Sequence, residues 1–322
     1  MTDLATEGGR SFPAPSSVSE EAQQYLNAVS AFGGGPLPPA LDDFDGWVEF
    51  VAERNAMIRS YLVDRLPPEG ELVVSEIEIG RVPTYGLRRP DLVDGSDLPV
   101  FLDMHGGGLI FCGGDIGWMM SAKRALVRNG LTYVPDFRNP PEHPYPAALD
   151  DCVEVYRATL DQRSASKVVV LGESGGANLA AAMLLRARDE GLPMPAALVL
   201  LTPELDLTES GDSFQTNLGI DYISSVMEQS LLYANGRDLA DPYLSPLFGD
   251  LRGFPPTFLQ TGTRDLMLSN TVRMHRKLIA AGVDAELHVF EAMPHGSFGG
   301  SAPEDVELIA EVARFEERHL GR

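Results

Sequence analysis

The chain has little lysine, little cysteine and no long apolar run, and each shortage removes a class of answers. Lysine occupies only Lys123, Lys167 and Lys277, and 47 Asp and Glu face 25 Lys and Arg, for a formal net charge of -22. Nucleic acids and anionic membrane surfaces recruit basic patches, so neither is expected as a partner. A neutral small molecule stays open. The two cysteines, Cys112 and Cys152, are far apart and lack Cys-x-x-Cys or Cys/His metal spacing, which predicts free thiols rather than a disulfide or a zinc site. His275 and His288 fall on separate predicted elements and make no ligand pair. No apolar run approaches the ~20 residues that span a bilayer. Residues 1–17 hold Pro13 and Pro15 but no basic segment leading into an apolar core, so neither a secretory signal nor a membrane anchor is expected. The expectation is a soluble, cytoplasmic chain. Internal repeats and low-complexity segments are also lacking.

What is present alternates between two periods. Ser17-x-x-Glu20 has the form of a capping box, and Ala22, Tyr25, Leu26, Val29 and Phe32 follow at helical spacing until Gly33-Gly34-Gly35-Pro36. A second helical stripe, Phe44, Trp47, Val48, Val51, Ile58 and Leu62, runs to Pro67-Pro68. Placed before the first strand, these two helices read as a lid over a site. From Glu71 the pattern shortens to strands over 72–79 and 82–87, an antiparallel start. Short apolar strands over 99–104, 131–134, 167–171, 197–201, 256–261 and 285–290 then alternate with helical stretches. That alternation predicts right-handed crossovers and an α/β fold with a mostly parallel sheet covered on both faces. Between 202 and 256 it lapses into a polar, glycine-containing stretch and a helix over 223–234, read as an insertion that joins the N-terminal helices in a cap. The predicted organisation is therefore cap helices in 1–68, a catalytic domain of 69–203 and 248–322, and an inserted cap segment of 204–247.

The chemistry gathers at Gly172-Glu173-Ser174-Gly175-Gly176, between a β-branched strand and an Ala/Leu-rich helix. A Gly-x-Ser-x-Gly turn in that context is a nucleophile elbow, with Ser174 exposed at its apex and a helix N-terminus behind it. A serine hydroxyl needs a base, and the base needs an orienting carboxylate. His295 follows the last strand in a tight loop before a helix over 303–319. Asp265 follows the strand before that one and is the expected acid, ahead of Asp206, Asp241 and Glu291. His105-Gly106-Gly107-Gly108, directly after the strand over 99–104, can turn its amides toward one point, so Gly107, Gly108 and the Gly175 N–H are assigned to an oxyanion hole. His105 is expected to brace that loop. Glu173 suits a loop anchor and a tuner of His295 equally well. Phe111, Cys112, Trp118, Met119, Met120 and Phe298 are apolar candidates for the pocket wall or for the core. No cluster has metal-ligand spacing, and neither a metal nor a cofactor is expected.

With those motifs in place, the chain resembles the hormone-sensitive-lipase-like branch of the α/β-hydrolases, bacterial carboxylesterases with His-Gly-Gly-Gly upstream of the nucleophile. The likeness runs from about Pro99 to the C-terminus and includes the stretch from Pro141 to Asp151. It implies an eight-stranded sheet, a helical cap, no cofactor, hydrolysis of small esters and, commonly, a homodimer formed through the sheet edge. The family's usual Asp-Ser-Ala-Gly is Glu173-Ser174-Gly175-Gly176 here, and its usual Asp-Pro-Leu is Asp265-Leu266-Met267.

The function expected is a serine carboxylesterase for short-to-medium acyl esters, acting through an acyl-enzyme. A lactone, carbamate or aryl-amide hydrolase would use the same three residues. A small-molecule receptor on the same fold would ordinarily lack the histidine or the nucleophile, and this chain has both.

Overall fold

In the computed structural model the described residues are 12–29, 37–93, 95 and 97–321. Among the described residues eight strands form one sheet: β1 (Val73–Ile79), β2 (Val82–Arg88), β3 (Val100–Met104), β4 (Leu131–Pro135), β5 (Val168–Glu173), β6 (Ala197–Leu201), β7 (Thr257–Gly262) and β8 (Ala285–Phe290). Their order is β1-β2-β4-β3-β5-β6-β7-β8. The pairs β1/β2 and β2/β4 are antiparallel and all others parallel. The expected strands all form, in the expected sense.

Central strands of this kind are apolar on both faces because helices cover both. Val168 and Val170 of β5 enter one core with Leu102, Leu198 and Leu200, whereas Val169 and Leu171 enter a second with Phe101, Val199 and Phe258. Helices α4 (Ala147–Gln162), α5 (Gly175–Asp189) and α8 (Leu268–Ala280) supply the first core, and α9 (Pro303–His319) supplies Leu308, Val312 and Phe315 to the second. Helix α3 (Asp115–Val127) lies beside α9.

The chain runs from β3 outward to β4 and then returns to place β5 on the other side of β3. At such a switch point the loops leaving the carboxyl ends diverge and open a crevice. The loop after β3 carries the glycines 106–108, and the turn after β5 carries Ser174.

The N-terminal helices sit above those loops. Helix α1 (Glu20–Val29) buries Ala22 and Leu26 against Ala292, Met293 and Phe298, around the loop that holds His295. Its cap differs from the expected one. Ser19, not Ser17, accepts the Ala22 N–H at 3.1 Å, and the Ser19 N–H and hydroxyl both donate to Glu304 of α9, at 2.7 Å each. The acid that completes the cap comes from the far end of the chain, beyond the reach of a local motif. Phe32 and Gly33 to Pro36 lie outside the described residues.

Helix α2 (Phe44–Val63) buries Trp47 and Phe50, while Phe44 and Val48 of the expected stripe are exposed. One edge of α2 meets the core, through Trp47 and through Phe50 against Phe111, and its Asn55 side chain accepts the Cys112 N–H at 2.8 Å. The inserted segment holds α6 (Ser213–Thr216) and α7 (Met227–Ala234). Helix α7 starts later than the pattern suggested because Asp221 takes the Tyr222 N–H and Glu209 takes the Val226 N–H, which holds the intervening chain out of helical form. Among the described residues no helix is long and apolar enough to cross a membrane.

Candidate active site

Ser174 stands between β5 and α5 with φ of 55° and ψ of -121°, a conformation that non-glycine residues seldom adopt. Its N–H donates to the Leu201 carbonyl of β6 at 2.9 Å, and its carbonyl accepts from Ala177 at 3.0 Å at the start of the helix. Gly176 makes the turn fit: a Cβ there would stand 2.1 Å from the Met104 carbonyl oxygen and 2.3 Å from that of His105. The missing side chain lets the elbow press against the loop that leaves β3.

The structure brings the three candidate triad side chains together. Ser174 Oγ is 2.8 Å from His295 Nε2, and His295 Nδ1 is 3.0 Å from Asp265 Oδ1. An ionised carboxylate can only accept, so Nδ1 carries a proton, and in the neutral imidazole Nε2 accepts from the hydroxyl. Asp265 is itself fixed, since Oδ2 accepts from Thr261 Oγ1 at 2.6 Å and Oδ1 from the Met267 N–H at 2.8 Å. Burial works against a charged imidazole, but the hydrogen bond and charge of Asp265, followed by the charges of Asp221 and Glu173, outweigh it and raise the His295 pKa above its ordinary value. Asp206 is directed away from this site, to Thr208, Ser210 and Arg273. Asp241 closes its own turn by accepting the Tyr243 N–H.

In the loop after β3, Gly107 has φ of 124° and its carbonyl accepts from Phe111 at 2.8 Å. That turn curls residues 107–111 beside the elbow, where a Cβ on Gly175 would stand 2.7 Å from Leu109 N. His105 Nδ1 donates to the Gly106 carbonyl at 2.8 Å and its ring stacks on Phe137 at 4.2 Å, so it braces the loop.

Glu173 combines both roles that the sequence left open. Its carboxylate pairs with Arg124 at 2.9 Å, and Arg124 holds Asp103 of β3 at 3.0 Å. Arg128 continues the run, bonding Asp103 at 3.1 Å and Glu316 of α9 at 2.7 Å. A buried chain of charges thus anchors the residue before Ser174, and the same carboxylate adds to the field on His295.

Two features beside the candidate triad escaped the motifs. The first is Asp221, whose carboxylate, with Asp265 and His295, places three donor atoms within 4.8 Å of one another. Both His295 nitrogens already have hydrogen-bond partners, so the cluster is not a free ligand set. The second is a cavity of about 320 Å³ that reaches Glu173 and Gly296, the chain neighbours of Ser174 and His295. Its lining draws Tyr25, Ile58, Tyr61 and Leu62 from α1 and α2, Met119 and Met120 from α3, and Leu308 and Val312 from α9. Of the other apolar candidates, Trp118 packs with Leu87, Val134 and Tyr85 on the sheet, Phe111 joins the main core, and Phe298 packs beneath α1. Cys112 and Cys152 are free and buried, and burial, followed by the charge of Glu173, pushes the Cys112 thiol up to about 12.

A family model described as the alpha/beta hydrolase fold matches residues 101–299. The chain is similar to an esterase of Acinetobacter venetianus, 35% identical over 187 residues that make up 56% of this chain and 62% of that protein, so the match spans less than two thirds of that relative. It is also similar to the carboxylic ester hydrolase LipN of Mycobacterium tuberculosis, 31% identical across 93% of this chain and 82% of the relative. Among solved structures, esterase E25 aligns with a TM-score of 0.87 and 35% identity over 98% of both chains. An esterase from the bacterial hormone-sensitive lipase family aligns with a TM-score of 0.81 and 29% identity over 94% of this chain and 99% of its own. Because the family model covers the loops after β3, β5, β7 and β8 as well as most of the sheet, the chain belongs to the α/β-hydrolase family, among the bacterial esterases related to hormone-sensitive lipase.

Proposed function

We propose that the protein is a serine carboxylesterase that hydrolyses small esters with short-to-medium acyl groups through an acyl-enzyme. The observation that carries this reading is the hydrogen-bonded run from Ser174 Oγ through His295 to Asp265 beside the glycine loop. His295 Nε2 takes the hydroxyl proton as Ser174 Oγ attacks the ester carbonyl, and Asp265 holds the imidazolium that results. The carbonyl oxygen, now negative, is met by the N–H groups of Gly107, Gly108 and Gly175, each donor worth about 3 kcal/mol in comparable sites. Collapse expels the alcohol with the proton from His295. Water, deprotonated by the same nitrogen, then releases the acid and restores the serine.

In this reading residues 1–68 and 204–247 form the cap over a core of 69–203 and 248–322. Support comes from the cavity wall, which draws Tyr25, Ile58, Tyr61 and Leu62 from the first span and Tyr222 from the second. A roof of that kind excludes water from the oxyanion and limits acyl length. The substrate is a dissolved ester met in the cytoplasm, with neither metal nor cofactor taking part. β1 and β8 stand at the two ends of the sheet, and a sheet edge is where two copies would pair as a homodimer.

The test is a series of p-nitrophenyl esters of graded chain length, with an organophosphonate to mark the serine. Turnover should peak at short-to-medium chains, and Ser174→Ala should lower kcat by orders of magnitude while leaving the fold intact. Near-normal turnover by folded Ser174→Ala, or a jump in rate on emulsified long-chain triglyceride, would overturn the reading.

A further inference from the structure

Asp221 sits in the inserted segment between α6 and α7, yet its carboxylate meets both loops that carry the partners of Ser174. Oδ2 accepts the N–H of Leu266, the residue after Asp265, at 2.7 Å. The His295 N–H stands 3.3 Å from each of the two carboxylate oxygens. Oδ1 also takes the Tyr222 N–H at 2.7 Å, which fixes the carboxylate to its own loop. Asn217 ties the same loop down a second time, donating from Nδ2 to the Asp265 carbonyl at 2.8 Å and accepting the Asp221 N–H at 3.0 Å. Asp221 is only 7% exposed.

A buried carboxylate beside another is unfavourable by itself. Burial, followed by the charge of Asp265, pushes the Asp221 carboxyl above its ordinary range, while His295 and the two loop N–H groups pull it back. The interactions that favour its charged form are therefore directed at the histidine and at the ends of the two loops. The fold holds it there through contacts that no single local element could make.

We propose that Asp221 is a positioning residue of the ester-hydrolysing site: it fastens the acid loop to the histidine loop and places a second negative charge beside the imidazolium. The proposal rests on the serine-esterase reading above. The proton moves from Ser174 Oγ to His295 Nε2 and onward to the leaving alcohol, so Asp221 neither gives nor takes a proton and makes no bond to substrate. The charged and titratable groups that face His295 are Asp265, Asp221, Glu173 and Glu204. Those facing Asp221 are Asp265, His295, Tyr222 and, from α1, Tyr25.

Removing the charge destabilises the imidazolium, so His295 loses its proton at lower pH and the acid limb of kcat/KM moves down. A charge within 4–6 Å shifts a neighbour by about one pH unit or more. Loosened loops should cost about tenfold or more in kcat, since a displacement of about 1 Å can cost about a hundredfold.

The experiment measures pH profiles of kcat and KM for the full chain, wild type, Asp221→Asn, Asp221→Ser and Asp221→Glu, on p-nitrophenyl butyrate. The Asn and Ser variants should show the limb about one unit lower and kcat about tenfold or more reduced, with KM within about twofold. The Glu variant keeps the charge and should keep the limb near its wild-type pH while losing kcat. Ser takes the place of Asn should Asn not fold. An uncharged variant with wild-type limb and kcat overturns the proposal, as does one that merely melts earlier with the limb in place, or an equal limb shift in Asp221→Glu. Labelling of Ser174 by an organophosphonate, with loss of activity in Ser174→Ala, shows separately whether the serine reading stands.

Discussion

Replacing Arg128 with methionine tests whether the charge chain behind the elbow is stabilised as its geometry implies. Arg128 is 2% exposed and makes paired hydrogen bonds to Glu316, at 2.7 and 3.2 Å, and a further one to Asp103 at 3.1 Å. Without it Asp103 keeps Arg124, at 3.0 and 3.1 Å, but Glu316 loses its bonded cation. A lone buried carboxylate avoids its charge by taking up a proton, and that sets the cost. Burial holds the Glu316 carboxyl above its ordinary range even beside Arg128, and from an unfolded value of about 4.3 keeping it fully neutral costs up to about 4 kcal/mol at pH 7 and about 1 kcal/mol at pH 5, less the part the wild type already bears. The sign follows from a folded pKa raised above the unfolded one: stability is intact below the unfolded value and declines as pH rises. With an unfolding entropy of about 2 cal/mol/K per residue, the loss at pH 7 lowers Tm by about 6 °C. Urea unfolding of wild type and Arg128→Met at pH 5, 6 and 7 is the assay. Adding Glu316→Leu should recover most of the deficit at pH 7, because replacing both members of a buried pair with apolar groups is often neutral. A loss equal at pH 5 and pH 7, or one under about 1 kcal/mol at pH 7, would refute the reasoning.

Glu204 is 2% exposed, and burial pushes its carboxyl up to about 7, with His295 and Ser230 pulling the other way. Its folded pKa exceeds the unfolded one, so it weakens the fold as pH rises from about 4.5 and does so fully above 7. Glu204→Gln should therefore gain about 3 kcal/mol in urea unfolding at pH 8 and almost nothing at pH 4.5, and equal stability to wild type at both would count against this account. The raised pKa of His295 predicts that kcat/KM falls with acid through a limb lying above the ordinary histidine value of about 6.5 and that the activity optimum is alkaline. A limb at or below that value in the wild type would show that burial outweighs the carboxylates.

The sequence by itself determined the layout of this protein, because its strands and helices declare themselves locally. β5 reads as a doubly covered strand from the run Val168 to Leu171, α9 spans 303–319 as its pattern required, and the glycines around Ser174 mark a turn too tight for side chains. Ser174, Asp265 and His295 were legible as candidates since each follows a strand of one parallel sheet, and parallel strands send such loops to the same end. Tertiary structure decided what periodicity cannot hold. Which edge of α2 is buried depended on Phe111, so Phe44 and Val48 were misread, and the cap of α1 depended on Glu304. Asp221 and the run from Glu173 to Glu316 have no sequence signature, because an exposed acid and a buried one look alike until the fold surrounds them. Local patterns encode the direction and period of an element, whereas the partners of a buried charge come from distant segments that meet only in the folded chain.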